Sequence, residues 1–445
     1  MLAARMYLRR VHIQNVRSIA ELTWELPDGV DGAGWHVILG DNGSGKSSFL
    51  RSIALALVGP MEAPALRQSW REWLRSGGED RARIAVRLSW DPNEDRFVGR
   101  GRTPAQGTEL WFHVHITPSG PSVVDDNHLP MIGLETAGSP GVDPSRHVWG
   151  DGAGWFSASY GPFRRFTGGD KDFDKLFYSQ PKLARHLSVF GEAVALTEAL
   201  TWLQNLKFRE LEGKAEGTLL APILQFVNQP GFLPHDVRLK DVTSSGVEFV
   251  DANGFKMPVQ NLSDGYRSIL SMTFELVRQM ALTFGADRLF SADNTQVIPP
   301  GVVIIDEIDA HLHPTWQRTI GVWFRKHFPN VQFIVSTHSP LICQAAEVGS
   351  VFRLPRPGAS PDEDRGEMVK GLALQRLLYG NVLDAYSTGV FGEGVTRSES
   401  AQEKLDRLAE LNTQELVATL SDDERDEQAN LRAILPTDAS ETQQP

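Results

Sequence analysis

The sequence predicts an α/β protein built around a phosphate-binding loop, and three segments carry that prediction. Gly40-Asp41-Asn42-Gly43-Ser44-Gly45-Lys46-Ser47 fits the pattern G-x-x-x-x-G-K-[ST] in full. It lies between an apolar run, Trp35 to Leu39, and a stretch where Phe49, Leu50, Ile53, Ala54 and Leu57 recur at helical spacing. Two nearly unbroken β-branched runs, 301–305 and 331–335, read as interior strands of a sheet covered on both faces. The first ends at Asp306-Glu307 and the second at Ser336-Thr337-His338.

The remaining elements follow in order. A basic alternating segment, Tyr7 to Ile13, precedes Asn15-Val16-Arg17-Ser18-Ile19, and a second segment spans Leu22 to Leu26. Gly59-Pro60 stops the helix after the phosphate loop. Arg67, Arg71 and Arg75 recur every fourth residue through a tryptophan-bearing stretch that reads as helical, and Arg83 to Trp90 alternates like a strand. Residues 101–154 are rich in Gly, Pro, Asp and Ser and predict long loops. Trp155 to Tyr160 looks extended, and Lys182 to Val227 looks helical with a break at Gly217. Val247 to Val250 and Lys256 to Val259 predict a hairpin, and a helix opens near Asp264. Pro314 to His327 is helical, a small strand runs near Val351 to Leu354, and helices dominate to Leu435. The expected organisation is 1–60, the N-terminal part of the core; 61–245, an insertion or lid; 246–355, the C-terminal part of the core; and 356–445, an acidic helical region.

Composition narrows the class. With 41% hydrophobic and 22% charged residues among 445, the chain has material for a sizeable core. Its single cysteine, Cys343, excludes a disulfide framework and a cysteine-rich zinc site within one chain. No apolar run reaches the length of a membrane span, and the expected compartment is the cytoplasm. The net charge is -12, and residues 401–445 hold eleven acidic against four basic side chains. The remainder is only mildly acidic and leaves room for a local basic groove.

The chemistry concentrates at strand ends. Glycines in the loop let consecutive amides turn inward on an anion, at a helix N-terminus that adds positive potential. Asn42, Gly43, Gly45, Lys46, Ser47 and Ser48 are the expected ATP contacts, with Lys46 reaching the β- and γ-phosphates. Ser47 and Asp306 are the expected magnesium ligands, Asp306 acting through water. Glu307 is placed to polarise an attacking water, and His338 to sense the γ-phosphate. A strand-end histidine taken alone is more often a turn residue. Asp309, His311 and His313 could suggest a metal site, but their spacing fits a helix cap or an interface contact better.

Gly-Asp-Asn-Gly-Ser-Gly-Lys-Ser-Ser, then Leu262-Ser263-Asp264-Gly265-Tyr266, then the Asp306-Glu307 segment, then Ser-Thr-His-Ser-Pro form an ordered series. That order resembles the ABC-type ATPases of the structural-maintenance (SMC), RecF and OLD group, and within it the small AAA-like ATPases of bacterial anti-phage systems. The resemblance implies an ABC-type P-loop head with mixed sheets and a helical and loop insertion. It also implies a head-to-tail homodimer or higher oligomer in which Ser263 and Gly265 of one protomer cap the ATP of the other. Ser263 reads equally as a helix N-cap, although Tyr266 stands where a capping box would have Glu or Gln. Asp264 and Tyr266 replace the glycine and glutamine usual in transport proteins. The resemblance further places Arg17 near the nucleotide and Asp309 between the two sites, and leaves Gln180 as the candidate for the glutamine loop. It implies slow ATP hydrolysis that switches a partner effector such as a nuclease, since no acidic or histidine-rich series of a nuclease accompanies the motifs. Alternatives are a DNA-repair or chromosome-maintenance ATPase that binds double-stranded DNA directly, and a transporter subunit. Candidate DNA contacts are Arg67, Arg71, Arg75, Arg81, Arg83, Arg87, Arg164 and Arg165, which read equally well as a solvated face.

Overall fold

Alternation along the buried strands sets the architecture. In the computed structural model, Trp35, Val37 and Leu39 face one core, together with Val303, Ile305, Phe333 and Val335. Their neighbours Ile38, Val302, Ile304 and Ile334 face a second core on the other side. A sheet buried on both faces needs apolar residues at every position, which is why these strands read as continuous runs. The structure describes residues 5–435 except 91–94, 96–103, 105–108, 120–130, 139–141, 150–154, 167–175, 177–178, 192–193, 195, 197, 234, 244–245, 387, 389, 392–397 and 418.

The strands, in chain order, are β1 (Leu8–Val16), β2 (Ile19–Glu25), β3 (Gly34–Leu39), β4 (Ala82–Leu88), β5 (Leu110–Pro118), β6 (Ile132–Gly138) and β7 (Ser157–Tyr160). They continue with β8 (Arg238–Thr243), β9 (Gly246–Val250), β10 (Lys256–Pro258), β11 (Gly301–Ile305), β12 (Val331–Ser336), β13 (Gly349–Arg353) and β14 (Glu367–Met368). The central sheet has the order β14-β13-β3-β12-β11-β7. All its pairings are parallel except β13 with β14. An antiparallel sheet, β2-β1-β4-β5-β6, lies across from it. Between the two runs the helix Lys46–Val58, with ten buried residues. The other face of the central sheet is covered by helices Glu198–Leu211, Leu220–Val227, Asp264–Phe284 and Pro314–His327. The hairpin β9–β10 and its partner β8 form a third small sheet.

The strands at 301–305 and 331–335 and the helix at 314–327 stand where the sequence places them. Two expectations are corrected. The helix through Arg67, Arg71 and Arg75 is replaced by two short 3-10 turns, Ala63–Leu66 and Trp70–Trp73, with Arg67 at φ 53°. Here tertiary anchoring overrides spacing: Trp73 is fully buried against Phe190 and beneath the Arg17 guanidinium. Within 101–154, β5 and β6 form strands instead of continuous loop, and they complete the antiparallel sheet. The span 61–245 is thus woven into both sheets, since β4 pairs with β1 and β7 with β11. At the C-terminal end, helices Glu399–Val417 and Asp422–Ile434 pack through Leu408, Leu411, Leu420 and Leu431. A Ser421–Glu424 capping box starts the second of them.

Candidate nucleotide site

Parallel strands end together, so the loops after β3, β11, β12 and β7 meet at one edge of the central sheet. In open α/β sheets ligands bind at that carboxyl edge. After β3, Gly43 and Gly45 take φ values of 81° and 96°, a region other residues enter only at a cost. Gly45 also faces Ser18, where an added Cβ would lie 2.9 Å from the hydroxyl. The turn between β1 and β2 thereby packs on the phosphate loop. That turn brings Arg17 to the neighbourhood of the loop, at φ 49°, with its guanidinium 4.7 Å from the centre of the Trp73 ring.

Lys46 is 6% exposed, and its Nζ donates to the carbonyls of Gly40 and Asp41, at 2.7 and 3.0 Å. Burial lowers its pKa, opposed by the negative charges of Asp306, Glu307, Asp41 and Asp309. The ammonium therefore stands within the field of the acidic pair, although the two lie far apart in sequence. Ser47 and Ser48 are half-buried at the start of the helix, while Asn42 and Gly43 are exposed.

Asp306 is fully buried, with Oδ1 accepting from Ser336 Oγ at 2.6 Å and Oδ2 lacking a hydrogen-bond partner. An unpaired buried carboxylate oxygen costs several kcal/mol unless a cation compensates it. Within the phosphate loop, Ser44 Oγ is buried and unbonded as well. An orphaned carboxylate oxygen, a half-buried serine hydroxyl and a loop of inward glycines form an oxygen-rich set suited to a hard cation such as magnesium, paired with phosphate. Among the described residues no cluster of three or more His, Cys, Asp or Glu could hold a metal by itself.

Glu307 lies in the left-handed region at φ 47°, its amide donating to Ser336 Oγ at 2.8 Å. Ser336 thus fixes both acidic residues, and its position one residue past the apolar run is the signal the sequence offered for it. The loop after β12 is tied back to β3 by Thr337, whose amide donates to Ile38 O at 3.3 Å. It leaves His338 exposed at the edge of the site. Burial, then the positive charge of Lys46, lower the His338 pKa, opposed by Asp309, Glu307 and Asp41. The structure brings Lys46, Asp306, Glu307, Asp309 and His338 into one electrostatic neighbourhood.

One arginine was misread from sequence. Arg164, counted among candidate DNA contacts, is 3% exposed and points into the site's wall. Its guanidinium donates to the carbonyls of Asp306 at 2.7 Å, Glu307 at 3.0 Å and Gly161 at 3.0 Å, and Nε donates to Ser268 Oγ at 2.9 Å. Of the other arginines, Arg83 bonds His113, Arg87 pairs with Glu25 and Glu109, and Arg75 donates to Ser18 O. Gln180 begins the helix Pro181–Phe190, with its side-chain oxygen buried and unbonded.

Ser263 occupies the N-cap position of the helix Asp264–Phe284, is exposed, and makes no side-chain capping bond. Its carbonyl accepts from Arg267 N, and Asp264 pairs with Arg267. Gly265 is buried against the His311 carbonyl, where a Cβ would meet the oxygen at 2.6 Å. These contacts run within the helix and to the loop after β11. His313 caps the helix Pro314–His327 through Nδ1, which accepts from Thr315 N at 3.3 Å, while His311 is exposed at φ 65°.

Two family models match. Residues 185–344 match one described as "AAA domain, putative AbiEii toxin, Type IV TA system", and residues 10–106 one described as "AAA domain". The chain is similar to the Septu protein PtuA of Bacillus mycoides (strain KBAB4), 24% identical over 348 residues, covering 78% of this chain and 40% of that protein. It is also similar to the Retron Ec83 probable ATPase of Escherichia coli, 37% identical over 123 residues, covering 28% of this chain and 22% of that protein. The chain therefore spans less than half the length of these relatives. A solved SMC head bound to the C-winged helix domain of ScpA overlays with a TM-score of 0.46 and 16% identity, over 82% of this chain and 97% of that one.

Proposed function

We propose that this ABC-type ATPase of the SMC- and OLD-like group binds ATP with magnesium and hydrolyses it slowly in a head-to-tail dimer. The dimer regulates a partner effector, such as a nuclease, in anti-phage defence. The observation that carries the composite site is Ser263. It stands at the N-terminus of a 21-residue helix with its hydroxyl uncommitted and exposed, and such a terminus attracts an anion. The contacts found for Ser263 and Gly265 run within their helix and to the loop after β11, none of them to their own chain's phosphate loop, which supports a phosphate from a second protomer.

Within one protomer, the amides of Asn42 to Ser48 would cradle the phosphates. Lys46 would exchange its two loop carbonyls for β- and γ-phosphate oxygens. Ser47 and Asp306 would hold magnesium, which when bound neutralises phosphate charge and orients the γ-phosphate. Glu307 would accept a hydrogen bond from the attacking water and turn its lone pair toward phosphorus. His338 would donate to the γ-phosphate or the water. Neither role requires covalent chemistry of the protein, so positioning and electrostatics supply the acceleration. Arg17 would border the site from the β1–β2 turn. Similarity to the Septu protein and the retron ATPase supports the defence setting.

The test is nucleotide titration combined with sizing by light scattering. Lys46→Ala is expected to abolish ATP binding. Ser263→Arg is expected to retain binding in the monomer and lose the ATP-dependent dimer; a dimer unchanged in that variant contradicts the composite site.

A further inference from the structure

The Arg164 side chain hydrogen-bonds both the acidic turn and the helix after Ser263. Its two terminal nitrogens hold the carbonyls of Asp306 and Glu307, and its Nε holds Ser268, five residues beyond Ser263 on the same helix. The guanidinium is buried, and every hydrogen bond found for it ends on a neutral oxygen, with no direct ion pair. Desolvation lowers its pKa to about 10, while the charges of Asp306, Asp309 and Glu307 favour its cationic form. It therefore remains charged at neutral pH, held by the field of the acidic pair instead of by contact with it.

A charge in this position is costly unless it is needed where it sits. Glu307 adopts a left-handed conformation, and the carbonyl it presents to Arg164 is fixed by that backbone. Arg's planar fork can hold two carbonyls and a hydroxyl at once, which the single ammonium of lysine cannot reproduce. The helix, in turn, meets the loop after β11 a second time, where Gly265 abuts the His311 carbonyl. A shift of the helix N-terminus consequently reaches the Glu307 backbone by two routes, of which the Arg164 route ends on Glu307 itself.

We propose that Arg164 is a positioning residue that relays the engagement of Ser263 at the partner's nucleotide to Glu307 in its own protomer. Each pocket of the dimer then becomes competent only when its chain's helix is docked across the interface. This rests on the composite-site reading given above. The linkage makes the two pockets fire as a pair, because each helix reports on one pocket and sets the other.

The experiment compares the full chain with Ser268→Ala, which removes one end of the relay, and Arg164→Lys, which keeps the charge. Measured are ATP affinity, the ATP-dependent dimer, steady-state hydrolysis and the thermal midpoint. The expected result for Ser268→Ala is an unchanged midpoint, affinity within about twofold, a retained dimer, and a turnover number reduced about tenfold with no rescue at saturating ATP. For Arg164→Lys the reduction is larger. Unchanged turnover in folded Ser268→Ala with an intact dimer overturns the relay and leaves the composite site standing. Absence of an ATP-dependent dimer in the unmodified chain overturns both.

Discussion

Glu307 pays for its position in backbone strain. A non-glycine residue at φ 47° costs roughly 1–3 kcal/mol. Two hydrogen bonds answer it: the Arg164 donation to its carbonyl and its amide's donation to Ser336. At about 0.5–3 kcal/mol each they offset the strain, so the Glu307 backbone is held in place by its neighbours. His36 offers a residue-level test of the core beneath the phosphate loop. It is fully buried on β3, with Nδ1 accepting from Ser350 Oγ at 2.9 Å and Nε2 donating to Gly32 O at 3.0 Å. Burial lowers its pKa to about 4. The folded value lies below the unfolded one, so the unfolded chain binds more protons between pH 6.5 and 4, and stability falls as pH drops through that window. Charging the buried ring costs the fold roughly 3 kcal/mol, a penalty absent at pH 7 and nearly complete near pH 4. In denaturant titrations the stability difference between the unmodified chain and His36→Gln should therefore shift in favour of the variant as pH falls through that window, and a constant difference refutes the assignment. At this scale the glycine loop and the acidic pair were legible because their spacing carries their chemistry. Arg164 was not, since the pair Arg164-Arg165 just after Gly161-Pro162 reads the same whether either is buried or solvated.

The helix Asp264–Phe284 separates two roles that its first residues share. Gly265 has an intrachain reason to be glycine: a Cβ there would meet the His311 carbonyl at 2.6 Å. Gly265→Ala is expected to displace the helix start, costing about 1–3 kcal/mol. Ser263→Arg places its side chain in solvent and should leave stability within about 0.5 kcal/mol. Equilibrium unfolding of the two variants checks the contrast, and equal losses would mean that Ser263 also serves the fold. Elements whose periodicity follows from double burial, β11 and β12, and the proline-started helix Pro314–His327 were readable from the chain alone. The 61–75 segment was not, because a four-residue spacing of arginines mimics a helical face while Trp73 is what holds the backbone. Strands β5 and β6 were hidden for a related reason. Their alternation is clear only at Leu110 to Ile116, within a span whose overall composition is that of loops.

For the whole molecule, the order of the central sheet gathers the phosphate loop, the acidic turn, the His338 loop and Arg164 at one edge. The helix carrying Ser263 covers the opposite face from the phosphate-loop helix. Its first turns reach that edge through Arg164, which bonds Ser268 and the carbonyls of Asp306 and Glu307. Among the described residues no helix is long and apolar enough to cross a membrane. The acidic helical pair at 399–434 exposes Leu416 and Val417 beyond its small core.

The most direct measurement mixes two inactive variants. Lys46→Ala retains its Ser263, and Ser263→Arg retains its phosphate loop, so a mixed dimer contains one complete pocket. Neither variant forms an ATP-dependent dimer with itself, so the dimers of an equimolar mixture are mixed, each has one of two pockets intact, and hydrolysis is expected to recover to at most about half of the unmodified rate. If the relay through Arg164 also acts, recovery falls toward the level of the separate variants while the ATP-dependent mixed dimer persists, because the complete pocket lies in the chain carrying Ser263→Arg. Neither recovered hydrolysis nor an ATP-dependent mixed dimer by light scattering, with an active and dimerising unmodified chain, would contradict an ATP site shared between protomers.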